Sequence, residues 1–328
     1  NPGPRTVHYI FEDKNKIIWL GTGGEGLAKL DPENETFKFF PPNLEGTGPS
    51  HPYIFCILED SKNNFWLGTA SGGLNLFDKQ TERFSYIKNG KDNPSSLSND
   101  MVLSMIETKD NNFWIGTAGG LNKLNVPLVE NLYFKSAKDT NHISFKAYGM
   151  NQGLPNEIIY GILEDNKGLL WFSTNKGLVK FAPENEQPVL KIYNVFDGIQ
   201  ANEFNQNGYY KSNNGEMFFG GIDGMNIFYP DSIAINTFLP PVVLTDFKLF
   251  NKQVPLQVPL NDTNDFSLPE LIQYCKEIEL PYDKNMISFK YSALNFTDPQ
   301  KNLYQYKMEG FDNEWINAGD KREVTYTN

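Results

Sequence analysis

The chain has 328 residues, a formal net charge of −11, 14% aromatic residues and 27 glycines. That length admits two domains, and an acidic balance without any cluster of Lys and Arg excludes nucleic acid and argues against an anionic membrane surface as partners. Short apolar, aromatic-rich runs between Gly, Asn and Asp predict an all-β chain in which helix is the minority state.

From the N-terminus the text repeats. Anchored on Trp19, Trp66, Trp114 and Trp171, the spacings are 47, 48 and 57 residues, and a further 47 reaches Phe218. Around the anchors stand Ile18-Trp19-Leu20-Gly21-Thr22, Phe65-Trp66-Leu67-Gly68-Thr69 and Phe113-Trp114-Ile115-Gly116-Thr117. The fourth copy, Leu170-Trp171-Phe172-Ser173-Thr174, lacks the Gly, and the fifth, Met217-Phe218-Phe219-Gly220-Gly221, lacks Trp and Thr. In each copy an apolar run ending in an acidic turn precedes the anchor. A Gly turn and a third strand follow it, and a polar turn leads to a fourth strand such as Phe37–Phe40. Four short strands per period of roughly 40–50 residues mark a β-propeller blade.

One blade cannot bury both faces of its sheet, so blades stack around an axis, with the indoles expected between neighbouring sheets. The Gly two residues on would allow close approach. Five four-stranded repeats are expected over 1–236, with an insertion at 125–145, as part of a larger propeller. Residues 237–328 are expected to form a β-sandwich of immunoglobulin-like type. The chain opens at Asn1 rather than Met and shows neither a signal peptide nor a run of 18 apolar residues, so a piece of a longer protein is expected.

Motifs that suggest chemistry dissolve into this pattern. Gly21-Thr22-Gly23-Gly24-Glu25-Gly26 satisfies a dinucleotide fingerprint, but a strand follows where a helix is required. The pairs Glu12-Asp13, Glu59-Asp60 and Glu164-Asp165 could suggest glycosidase carboxylates, yet they recur at one blade position and so predict turns. His8, His51 and His142 share no metal-ligand spacing, and Cys56 and Cys275 read as separate buried thiols. The segment Glu130–Phe134 resembles a protease tag site but lacks its Gln and reads as native. No cofactor and no metal is expected.

A ligand would sit at the mouth of the central channel, on the loops that enter each inner strand and those that follow each second strand. Those segments contribute Arg5, His51, Tyr53, Asn99, Asn156, Asn175, Lys176, Asn202, Asn205 and Asp223, with Asp100, Glu157, Glu203 and Phe204 nearby. Planar polar groups beside an aromatic ring suit the hydroxyls and C–H faces of a sugar.

The unit Ile57–Thr69 with Gly72-Gly73-Leu74-Asn75 resembles the two-component regulator propeller repeat. Pro240–Phe247 is similar to the strand that follows the last blade in that family. Ile287–Tyr291, Tyr304–Asp312, Trp315 and Tyr326 resemble its three-tyrosine (Y_Y_Y) domain, in which alternation sets Tyr304 and Tyr306 on one face. The family usually carries a dozen or more repeats, and its second domain continues beyond the pattern seen here, so a partial sandwich is expected. The resemblance implies the periplasmic sensor region of a hybrid two-component histidine kinase that regulates transcription. It further implies an oligosaccharide ligand, a homodimer, no enzymatic activity in this region, and a membrane reached only through spans outside this sequence. Two rival readings are a propeller lyase or glycoside hydrolase with carboxylates at the channel mouth, and a protein-binding scaffold.

Overall fold

The computed structural model describes residues 3–125, 143–183, 189–233, 239–256, 266–295, 299 and 302–327. Most of the insertion expected at 125–145 lies outside these residues, together with Glu130–Phe134 and His142. The chain divides into two compact units, Asn1–Ala234 and Ile235–Asn328.

The first unit consists of five antiparallel sheets in chain order. β1 (Val7–Glu12), β2 (Ile18–Thr22), β3 (Leu27–Asp31) and β4 (Thr36–Phe40) form the first. β5 (Ile54–Glu59), β6 (Phe65–Thr69), β7 (Leu74–Asp78) and β8 (Arg83–Ile87) form the second. β9 (Val102–Glu107), β10 (Phe113–Thr117), β11 (Gly120–Leu124) and β12 (Phe145–Tyr148) form the third, and β13 (Gly161–Glu164), β14 (Leu170–Thr174), β15 (Gly177–Ala182) and β16 (Val189–Tyr193) the fourth. The fifth has three strands among the described residues, β17 (Phe204–Lys211), β18 (Met217–Gly221) and β19 (Gly224–Phe228), not the four expected. Where a fourth strand would approach, Pro230 opens a short 3-10 turn at Pro230–Ser232, since proline offers no N–H to a ladder.

The sheets stack as the Trp repeat requires. Trp66, Trp114 and Trp171 are fully buried and Trp19 is 3% exposed. Each indole packs on the next sheet: Trp19 on Phe65 (ring centroids 5.1 Å), Trp66 on Phe113 (5.0 Å), Trp114 on Phe181 (5.7 Å) and Trp171 on Phe228 (5.1 Å). The Gly two positions after Trp66 faces the inner strand of the following sheet. A Cβ at Gly68 would lie 2.7 Å from Val102 Cγ1 and 2.4 Å from Cys56 Sγ. The inner strands β1, β5, β9, β13 and β17 therefore pack closely on one another. The Gly-rich hexamer is a turn, closed by Thr22 Oγ1 donating to the Gly26 carbonyl (2.7 Å), and Thr69, Thr117 and Thr174 close the corresponding turns.

The acidic turns do more than turn. Asp13 Oδ1 accepts the backbone N–H groups of Asn15 and Ile17, while its Oδ2 accepts the indole N–H of Trp19 at 3.0 Å. Asp60 holds Trp66 in the same way (2.8 Å), and Asp165 holds Trp171 (3.0 Å). In the third sheet Thr108 stands at this position, and the buried Nε1 of Trp114 has no hydrogen-bond partner.

In the second unit, β20 (Val242–Leu249), β21 (Lys252–Gln253) and β22 (Met286–Ala293) pair with β25 (Glu323–Thr327) in the order β21-β20-β22-β25, and β23 (Tyr304–Tyr306) pairs with β24 (Ile316–Gly319). Tyr291, Tyr304, Val324 and Tyr326 form one buried cluster, and Tyr306 packs against it. The Tyr326 hydroxyl donates to Asp312 Oδ2 (2.6 Å), and this bond holds the Asp312 carboxyl below the usual carboxylate range. Phe247, Leu249, Val254, Leu268 and Ile272 form a second cluster.

Candidate functional site

Antiparallel order gives the first unit two rims. One carries the hairpins β1–β2 and β3–β4 and their equivalents. The other carries the loops that lead into each inner strand and the turns after each second strand, which is where all ten candidates were expected.

The loops of this second rim are stitched sheet to sheet. Carbonyls of Pro52, Asp100 and Asn202, each in a loop leading into a sheet, accept the N–H groups of Gly26, Gly73 and Gly177 in the preceding sheet, at 2.9, 2.9 and 2.7 Å. Side chains lock the same loops from within. Asn99 Oδ1 accepts from Met101 N–H (2.8 Å), Asn156 Oδ1 from Ile158 N–H (2.8 Å), and His51 Nδ1 from Tyr53 N–H (3.2 Å). A short polar side chain bonding the backbone two residues on is what these residue types offer at turns.

The candidates fall into three groups. Arg5, His51 and Tyr53 gather between the first two sheets: Arg5 N–H bonds Glu25, and the Tyr53 ring lies 5.7 Å from His51 and 6.1 Å from His8. Asn175, Lys176, Asn202, Asn205 and Asp223 gather between the fourth and fifth. There Asn202 Oδ1 accepts Val195 N–H and Asp223 N–H donates to Gln200 Oε1 (2.7 Å). Among the described residues, no hydrogen bond or ring contact joins Asn99 or Asn156 to another candidate. Arg5, Lys176, Asn202, Asn205 and Asp223 are exposed, Tyr53 is 43% exposed, and Asn175 carries a buried Oδ1 with no partner. A hollow of about 380 Å³ opens in the loop that precedes Asn99, lined by Asn89, Asn93 and Ser96.

A larger cleft, about 570 Å³, lies on the hairpin rim between the first two sheets and includes Asp13, Trp19, Glu59 and Lys79. Its charges are engaged with one another. Lys79 Nζ meets Asp13 Oδ2 at 3.1 Å and Glu59 Oε1 at 2.7 Å, and Lys38 pairs with Glu82. Burial opposes the charge on Asp13, but the Trp19 indole, the Ile17 N–H and Lys79 together hold its carboxyl below the usual carboxylate value. Two of the paired glutamates are likewise committed: Glu59 accepts from Lys14 N–H and Glu164 from Lys109 N–H, each on the preceding sheet, and Glu107, beside Thr108, does the same for Ser61 N–H. These carboxylates clamp neighbouring sheets, so the loop rim is the better candidate despite its smaller hollow.

Sequence reasoning missed Gln206 and Asn207. β17 pairs Phe204 with Gly221 and Tyr209 with Phe219, so residues 205–208 bulge out opposite Gly220. Asn207 sits there at φ 59°, with Nδ2 donating to the His8 carbonyl (3.1 Å). Its buried Oδ1 and the buried Nε2 of Gln206 have no partner. The one signal in the text is the amide run Asn205-Gln206-Asn207 closed by Gly208, inside what otherwise reads as a strand.

Comparison with known proteins places these features in context. The two-component regulator propeller family matches residues 48–71, 96–119 and 153–176, and the Y_Y_Y domain family matches residues 295–328. A curated relative, Histidine kinase P4 of Formosa agariphila, is 33% identical over 176 residues, which is 54% of this chain and 12% of that protein. Among solved structures, the extracellular domain of the hybrid two-component system BT3049 from B. thetaiotaomicron is 25% identical with a TM-score of 0.70, over 98% of this chain and 40% of that one. The chain thus spans well under two thirds of either relative. No helix among the described residues is long and apolar enough to cross a membrane. Three of the four Trp repeats, those of Trp66, Trp114 and Trp171, match the two-component regulator propeller family, the C-terminal part of the tyrosine-cored unit matches the Y_Y_Y domain family, and the chain is similar to the extracellular domain of a hybrid two-component system.

Proposed function

We propose that this chain is the extracytoplasmic sensor region of a hybrid two-component histidine kinase. It detects an oligosaccharide at the loop rim and relays the event towards the membrane without chemical turnover. The observation that carries this reading is the likeness to the extracellular domain of a hybrid two-component system over 98% of the chain. The rim supports it: its loops are fixed by backbone bonds, while Tyr53, Asn202, Asn205 and Asp223 are left facing solvent. Pre-formed polar groups beside an aromatic ring bind a neutral polyol at small ordering cost. For binding to signal, the ligand must favour one state of the protein over another. The reading also carries a periplasmic location and a homodimer, which sedimentation with and without ligand tests.

Calorimetric titration against neutral and anionic oligosaccharides, followed by assay for new reducing ends or unsaturated products, tests the core of the reading. Saturable binding without product is expected. Sustained product formation abolished by a single Asp or Glu substitution on the loop rim would replace sensing with catalysis.

A further inference from the structure

Bulges bend a strand and re-aim its side chains, and they concentrate beside functional sites. The bulge of β17 does this at the centre of the first unit. β17 is the inner strand of its sheet and packs on β13 and β9, and the Asn207 Nδ2–His8 carbonyl bond ties its bulge to the inner strand of the first sheet. The His8 ring in turn lies 6.1 Å from Tyr53 and 5.6 Å from Phe55, at the leading end of β5. Residues distant in the chain thus meet where the inner strands begin, at the loop rim.

Two atoms of the bulge stand out. Gln206 Nε2 is a buried donor and Asn207 Oδ1 a buried acceptor, and neither has a partner. A buried polar group without a hydrogen bond destabilises a fold, so two on adjacent residues call for a reason. A hydroxyl both donates and accepts, and a pair of neighbouring hydroxyls on a sugar ring matches an adjacent amide donor and acceptor. Neutral amides select hydroxyls over charged groups, and the half-exposed Tyr53 ring offers a face to sugar C–H groups.

We propose that Gln206, Asn207 and Tyr53 form a subsite for one ring of a neutral saccharide. Gln206 Nε2 donates to, and Asn207 Oδ1 accepts from, vicinal hydroxyls, and His8 joins the amides to the aromatic ring. The assignment rests on the sensor reading and narrows it to an uncharged sugar.

The test uses the whole chain with cello-, xylo- and manno-oligosaccharides as neutral probes and heparin fragments as anionic ones. Binding is measured by calorimetry and folding by thermal denaturation. A neutral probe that binds wild type is expected to lose at least tenfold in affinity in Gln206→Leu, while the melting temperature of that variant stays level or rises as an unpaired buried donor is removed. Asn207→Gly keeps the left-handed backbone and is expected to lose affinity similarly. Wild-type affinity in both variants would overturn the subsite, whatever their thermal stability. Binding of the heparin fragments alone would overturn it too, yet leave a sensor. Binding of no saccharide at all would remove both readings.

Discussion

The first, second and fourth sheets differ from the third at one atom pair. In the three, a carboxylate six residues before the Trp shapes the turn with one oxygen and holds the indole N–H with the other. In the third, the turn is built the same way: Thr108 N–H bonds Asn112 carbonyl, and Asn111 takes φ 59° as Lys16 and Asn63 take 66° and 65°. Thr108 Oγ1 exchanges hydrogen bonds with the Asn112 backbone and leaves Trp114 Nε1 unpaired. In the fifth sheet Ser212 and Phe218 take these positions, and with no indole there is nothing to hold. The difference teaches that turn geometry and indole anchoring are separable, and that indole packing alone seats the third Trp. Lys123, its cross-strand partner, lies over the Trp114 ring at 5.5 Å, as Lys29 and Lys180 lie over Trp19 and Trp171.

The largest effect tests packing. Trp66→Ala is expected to destabilise the first unit by about 3–5 kcal/mol in chemical denaturation, and Trp114→Ala by a comparable amount; a much smaller cost for Trp114 would mean that the anchor, not the packing, seats these rings. Next, Asp60→Ala removes both the turn acceptor and the indole partner and should cost about 2–3 kcal/mol. Thr108→Ala should cost under about 1 kcal/mol, and equal losses would break the contrast. Smaller and of opposite sign, Thr108→Asp supplies the missing acceptor and should stabilise by about 1 kcal/mol, raising the melting temperature by about 2–4 °C. Introduced with Trp114→Phe, the same substitution should gain nothing.

The smallest effect is one of pH. The Asp13 carboxyl titrates below its unfolded value, so its contribution is complete above the ordinary carboxylate range, near pH 4, and is lost as pH falls through the folded value. Melting curves of wild type and Asp13→Asn should therefore differ most near neutrality and converge in acid. A gap that widens below pH 4 would contradict the assignment.

The stacked-sheet fold was legible because Trp, Gly and Thr recur at fixed offsets, and each offset is a packing requirement: an indole between sheets, a missing Cβ against Val102, a hydroxyl closing a turn. The Asp-to-indole bond was equally present in the text as a constant six-residue spacing, yet it read only as turn chemistry, because nothing in a linear string shows that one carboxylate oxygen points back across the hairpin. The candidate site was legible as a rim and not as a set of contacts. Asn99 and Asn156 were selected for their polarity and spend one oxygen on the following backbone, whereas Gln206 and Asn207 lie just past the loop residues that were selected. Their place in a bulge depends on a register shift between β17 and β18 that no local pattern announces. That the fifth sheet has three strands among the described residues escaped for a related reason, since Pro230 acts on the strand that would follow it and not on those that precede it.

The two thiols lie in different units and in different surroundings. Cys56 is sealed under Gly68 and Val102 and burial pushes its thiol far up, while Cys275 is half-buried with its Sγ near the Glu270 carbonyl. A maleimide dye at neutral pH should accordingly attach at one place, on the tyrosine-cored unit, without any engineered cysteine. Fluorescence from that single label during a saccharide titration would report whether an event on the Trp-stacked sheets is felt where the dye sits.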